Sequence, residues 1–203
     1  MSVDRCLKKM KLIAITKPDF YDGESAFIKR LFESGFDIVH LRKPNSDIDN
    51  CRNILNELSS EERSRIVVHD YPELYYEFSL KGIHINKNIV KYPEGYQGFK
   101  TRSCHSLEEV KLYKDDFDYV FLSPIFDSIS KEGYKSLFTE DELRQASEEG
   151  IIDEKVVALG GVDFDDFSFL KGLNFGGAAM LGSIHRLKDL PLDEMKKLLF
   201  DWK

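Results

Sequence analysis

Five short runs in this chain each end in side chains suited to proton transfer or to holding an anion. They are Ile38-Val39-His40-Leu41-Arg42, Ile66-Val67-Val68-His69-Asp70, Gly82-Ile83-His84-Ile85, Thr101-Arg102-Ser103-Cys104-His105 and Tyr119-Val120-Phe121-Leu122-Ser123. A sixth, Val156-Val157-Ala158-Leu159, runs into Gly160-Gly161. An imidazole can act as acid or base near neutral pH. A guanidinium grips phosphate oxygens with a fork, and a carboxylate is a hard ligand for a divalent cation. A double glycine before a helix lets a phosphate approach backbone N–H groups. Each feature also has a plainer meaning: a satisfied interior histidine, a bonded pair closing a strand, an ordinary tight turn.

A second glycine-bearing strand end, Leu181-Gly182-Ser183, follows the last run. The last two strands of α/β barrels commonly build a phosphate site together, so Gly160, Gly161, Gly182 and Ser183 are read as one. After Ser123, the residues Ser128, Ser130 and Lys131 offer two hydroxyls and an ammonium that could wrap a diphosphate, or simply form a solvated loop. Arg42 ends the second run on the side of Ile38 and His40, whereas alternation turns Lys43 the other way, toward the surface. No two histidines have HxxxH spacing, so no structural zinc site is expected.

These groups need elements to carry them. Runs rich in β-branched and aromatic residues, several followed by a helix-like segment, describe a parallel sheet closed by helical crossovers. Strands are expected at Leu12–Thr16, Asp37–Leu41, up to His69-Asp70, Ile83–Ile85, Phe99–Ser103, Tyr119–Leu122, Val156–Leu159 and Gly177–Leu181. Eight strands make the fold class α/β, a single small (β/α)8 barrel whose site lies at the carboxyl ends of the strands. Helix signals alternate with them: the stripe Phe27, Ile28, Leu31, Phe32 stopped by Gly35, and capping boxes at Ser106–Glu109 and Thr139–Glu142. The last helix runs from Leu192 to Phe200. Asn86 to Gly98 is polar, holds Pro93 and Gly95, and is expected to form a loop over the barrel mouth.

The 203 residues suit one domain over 11–203, with 1–10 as an N-terminal extension lacking order. A formal charge of −7 disfavours nucleic acid and anionic membrane as partners, while a local basic cluster still allows small phosphorylated substrates. Cys6, Cys51 and Cys104 are scattered, the usage of a reducing compartment. No apolar stretch reaches the roughly 20 residues that span a bilayer, and the basic start lacks a signal-peptide core. The expected location is the cytoplasm. Nothing in the sequence specifies an oligomeric state.

In order and spacing, several segments resemble the thiamine-phosphate synthase/TenI family of small (β/α)8 barrels, from about Lys11 to Leu199. They are Val39–Arg42, Val68–Asp70, Gly82–Ile85, Ser103–Glu109, Asp118–Phe126, Ala158–Val162 and Ala179–Ile184. The resemblance implies thiamine biosynthesis. It points to a transferase that couples hydroxymethylpyrimidine diphosphate to thiazole phosphate, or to a TenI-like thiazole phosphate tautomerase, or to a non-catalytic phosphate-binding relative.

It also implies site residues. Arg42 keeps the family arginine on strand two, while the family glutamine becomes His40 and its lysine becomes Pro44. Asp70 keeps a carboxylate for Mg²⁺, with His69 in place of asparagine. A second family aspartate is absent from Asn86-Lys87-Asn88-Ile89. Ser128, Ser130 and Lys131 match the diphosphate loop, and Ser103 a diphosphate-contacting serine. His40 fits the tautomerase branch, but Pro124 stands where that branch carries a histidine. Arg42, Lys131 and His40 are thus the expected catalytic groups. Arg42, His69, Ser103, Ser128, Ser130 and Lys131 are assigned to the pyrimidine diphosphate, and Asp70 to the metal.

Overall fold

Strict alternation of buried side chains sorts each strand into an inner and an outer face, and the outer face is covered by helices. The computed structural model describes residues 9–86, 89–127 and 136–202. The strands are β1 (Lys11–Ile15), β2 (Ile38–Leu41), β3 (Ile66–Val68), β4 (Gly82–Ile85), β5 (Phe99–Cys104), β6 (Tyr119–Leu122), β7 (Val156–Leu159) and β8 (Gly177–Met180). All neighbours are parallel, and β1 pairs with both β2 and β8, closing the barrel as expected.

Leu12, Ala14, Val39, Leu41, Val120 and Leu122 point outward into the layer they share with the helices. Ile13, Ile15, Ile38, Val67, Tyr119, Phe121, Val157 and Ala179 fill the interior. Each fully buried aliphatic or aromatic side chain contributes roughly 1.5–3 kcal/mol, so this two-sided burial dominates the fold's stability.

The helices are α1 (Glu24–Ser34), α2 (Ile48–Glu57), α3 (Ser60–Arg63), α4 (Glu73–Phe78), α5 (Leu107–Tyr113), α6 (Glu140–Glu148), α7 (Phe167–Gly172) and α8 (Leu192–Leu198). The expected stripe of α1 is buried, and Gly35 ends it at φ 124° with its N–H shared between the carbonyls of Leu31 and Phe32. The Thr139–Glu142 capping box opens α6. At α5 only half of the expected box forms. Ser106 accepts from Glu109 N–H, but the Glu109 carboxylate reaches one residue further back, to the N–H of His105 at 2.6 Å. The following Phe200–Trp202 forms a 3₁₀ turn, so α8 stops two residues short of the expected end.

One other expectation is corrected. The chain from Tyr92 onward does not cover the mouth; it runs along the outer wall between β4 and β5, the one crossover with no helix among the described residues. Tyr96 is buried there, accepts from Ile83 N–H at 2.7 Å and donates to Phe99 O at 2.6 Å. Tyr92 stacks on it at 4.8 Å and Tyr75 packs edge-on at 4.8 Å. Pro93 and Gly95 (φ 72°) preclude a helix, and aromatic rings supply the apolar cover instead. At the N-terminus residues 1–8 lie outside the described residues; Lys9 pairs with Asp37 at 3.0 Å and Met10 is buried. No helix of the described residues is long and apolar enough to cross a membrane.

Candidate active site

Alternation carries the polar residues of β2 to β6 inward. His40, His84, Thr101 and Tyr119 lie inside the barrel, with His69 just beyond β3 and Ser103 toward the end of β5. His84 stands level with Thr101, which stands level with Tyr119. Three imidazoles meet here from three strands. His40 Nδ1 lies 2.7 Å from His69 Nε2, and His40 Nε2 lies 2.5 Å from Tyr119 Oη. His84 contacts Thr101 Oγ1 at 2.9 Å and Ser103 Oγ at 3.1 Å, and its ring stacks on His69 at 4.1 Å.

Burial keeps these rings neutral. Desolvation, and then the neighbouring His84, hold His40 well below the usual imidazole range. Desolvation, the other two histidines and the Arg42 charge do the same to His69. Burial, Arg102 and Arg42 lower His84 to about 3. Burial first, then Asp118 and Tyr92, push the Tyr119 phenol well above its ordinary value.

His40 is fully enclosed and bonded at both ring nitrogens. Both ring nitrogens of this expected catalytic residue are thus occupied by protein partners, and His69 stands between it and the mouth. Arg42 is half-buried at the end of β2, anchored through its backbone to Thr16, and no carboxylate among the described residues pairs with its guanidinium. Its charge acts on both His69 and His84, lowering their basicity.

Lys43 does alternate away from Arg42, but it is not at the surface. It is 1% exposed, bonds both Glu24 oxygens at 2.7 Å and the Asp19 carbonyl at 2.9 Å, and lies over the Phe20 ring. The outward face of β2 is covered by α1, so an outward lysine is buried and needs a partner. Burial raises the Glu24 carboxyl even against the opposing pull of Lys43.

Asp70 follows β3 and accepts the Lys43 N–H at 3.1 Å, which leaves its other oxygen to offer. Asn86 donates its amide to the His69 carbonyl and accepts from Ile89 N–H, while Asn88, where the family pattern would carry its second aspartate, lies outside the described residues. Mg²⁺ prefers oxygen ligands and keeps several waters, so Asp70 with substrate oxygens fits its chemistry. The three histidines have nitrogen atoms within 4.8 Å of one another, a grouping that sequence spacing did not reveal. Five of their six nitrogens already bond side chains outside the trio or each other, with His69 and His84 rings parallel, so converging lone pairs would require rearrangement. Ser128, Ser130 and Lys131 lie outside the described residues.

The glycine turns differ from each other. Gly160 (φ 92°) and Gly161 (φ 70°) need positive φ, and a Cβ on Gly161 would stand 2.6 Å from Asp127 O and 2.7 Å from Phe126. Their first role is to let β7 pack against the loop after β6. Gly182 has helical φ −62°, and the Ser183 hydroxyl is turned inward, donating to Val162 O at 2.7 Å. Tyr119 and Thr101 were not singled out from the sequence as site residues; the signal that marks them is the inward register they share with His40 and His84.

The fold and this mouth define a small (β/α)8 barrel with a cation and neutral hydrogen-bonding groups at the carboxyl ends of its strands. The family model described as thiamine monophosphate synthase matches residues 12–184, and the chain belongs to that family, TMP-TENI. A thiamine phosphate pyrophosphorylase of Bacteroides thetaiotaomicron is 40% identical, with TM-score 0.84, covering 95% of this chain and 97% of that one. The thiamine-phosphate synthase of Shouchella clausii is 26% identical over 77% of this chain and 79% of its own length. That of Phocaeicola vulgatus is 24% identical over 89% of this chain and 90% of its own.

Proposed function

We propose that this chain is a cytoplasmic transferase of thiamine biosynthesis that joins hydroxymethylpyrimidine diphosphate to thiazole phosphate and releases diphosphate. The observation that carries this reading is the mouth itself: Arg42, without a carboxylate partner among the described residues, ends β2 with its charge acting on neutral His69 and His84, and Ser103 bonds His84. A cation with neutral hydrogen-bond donors suits a departing anion, and the nearby Asp70 carboxylate is the group assigned to the metal. The bond from the pyrimidine methylene to the diphosphate oxygen breaks first, and the thiazole nitrogen then traps the cation. Arg42 holds the negative charge that develops on the leaving oxygen, with His69 and Ser103 as neutral donors. Lys131, Ser128 and Ser130 are assigned to the same diphosphate from the family pattern. Mg²⁺, when bound at Asp70, supplies further charge neutralisation. Gly160, Gly161, Gly182 and Ser183 are assigned to the thiazole phosphate, through backbone N–H groups. The enclosure of His40 supports this reading over a tautomerase that would use it as acid or base.

The test is product formation from both substrates with and without Mg²⁺. Turnover should require the metal and fall at least about tenfold in Asp70→Asn, the order seen when a ligand environment is weakened. Arg42→Ala should weaken diphosphate binding by roughly 10–100-fold, the worth of charge-assisted hydrogen bonds. Metal-independent isomerisation of a thiazole phosphate would replace this reading with the tautomerase. No reaction by folded protein, with a monophosphate still bound, would leave a binding protein.

A further inference from the structure

Tyr119, His40 and His69 form a hydrogen-bonded line from the sealed interior to the mouth, and the ends of that line are not equivalent. At the inner end the Tyr119 phenol is fully buried, and His40 Nε2 is the partner of its oxygen among the described residues. At the outer end His69 is 6% exposed, and its Nδ1 has no partner among the described residues. Two proton arrangements satisfy the middle of the line. In one, Tyr119 O–H donates to His40 Nε2, His40 Nδ1–H donates to His69 Nε2, and His69 carries its own proton on Nδ1. In the other every donor is reversed, and His69 shows the mouth a bare lone pair.

The buried phenol breaks the tie. It has one proton and, being neutral, must place it. In the reversed arrangement His40 donates into the phenol oxygen, and the phenol proton has no acceptor. An unsatisfied buried donor shifts such an equilibrium by roughly tenfold or more. We propose that Tyr119 and His40 are positioning residues that lock His69 as an Nδ1–H donor at the barrel mouth, built to meet an acceptor oxygen rather than to remove a proton. Taking that acceptor as a diphosphate oxygen rests on the function proposed above; the direction of the line does not.

The direction is read directly by two-bond ¹H–¹⁵N correlation on protein labelled at the histidine ring nitrogens, near pH 7.5 and without substrate. His40 and His69 should both be neutral with the proton on Nδ1. A proton on Nε2 of either ring, or a charged ring, overturns the lock. In Tyr119→Phe neither direction strands a phenol proton, so the Nε2–H form of His40 and His69 should rise at least severalfold. An unchanged pattern in a folded variant would show that Tyr119 does not set the direction. Stoichiometric uptake of Zn²⁺ by the purified protein, with loss of these ring N–H signals, would make the cluster a metal site and likewise overturn the proposal. Inorganic diphosphate with Mg²⁺ should then shift the His69 Nδ1–H signal without moving the proton. If the tautomer is as stated and diphosphate leaves His69 unmoved, the acceptor assignment falls while the lock stands.

Discussion

Around the β2–β6 arc of the barrel interior, side-chain hydrogen bonds link Tyr119, His40 and His69 in one set and Thr101, His84 and Ser103 in another, and the His69 and His84 rings stack between them. Around the β7–β8–β1 arc the interior is Val157, Leu159, Ala179, Leu181, Ile13 and Ile15, with glycine turns above it. The first arc orients groups by directional bonds, which fix tautomers and ring planes. The second sets shape by close packing, which fixes where backbone can approach. Such a division suits a site that must aim donors at one part of a ligand and cradle another.

The largest expected effect separates the arcs by pH. The folded state holds three barrel histidines neutral, with His84 at about 3, while the unfolded chain protonates each below about pH 6.5. The unfolded state therefore binds more protons in that range, and stability falls as pH drops below 6.5. The loss approaches about 1.4 kcal/mol per pH unit for each histidine, roughly 4 for three. His185, outside the barrel against Phe27 and lowered to about 4 chiefly by burial, adds to the same trend. Urea unfolding at pH 7 and pH 5.5 measures it. A flat profile would mean that the first arc is hydrated and titrates normally.

Next comes the outer wall of the same arc, where neighbours in sequence should behave oppositely. Lys43→Met strands Glu24 and should cost about 3–5 kcal/mol, much of it restored by adding Glu24→Leu. Arg42→Met breaks no ion pair among the described residues and should leave stability within about 1 kcal/mol. Similar losses from both single variants would contradict the buried pair. The smallest effect probes the second arc. Gly161→Ala must hold φ near 70° against backbone at 2.6 Å, a cost of roughly 2–4 kcal/mol, whereas Gly182→Ala keeps an ordinary helical φ and should cost less than about 1. Thermal unfolding of both variants tests whether the two turns differ. Neither change should alter the pH slope.

Much of this was legible before any coordinates. Alternation in β2 assigns His40 and Arg42 to one face and Lys43 to the other, and that assignment holds. What alternation does not give is what stands opposite a face. Glu24, 19 residues upstream, buries the lysine that the sequence sent to the surface. The polar, proline-bearing stretch after β4 suggests a mouth loop because composition marks a loop without marking its route. Tyr92 and Tyr96 took the place of a crossover helix.

The sequence by itself determined the order of eight strands, their inward and outward faces, most helix ends and the strand termini that carry the site. Those features depend on neighbours one to four residues away, which the chain spells out directly. Only the tertiary structure decided that His40 meets His69 across 29 residues and Tyr119 across 79. It also decided that Gly161 faces the loop after β6. These contacts follow from angular position around a closed barrel, set by the register of all eight strands at once. No local pattern encodes that position, so the chemistry of the histidine cluster became readable only once the sheet had closed.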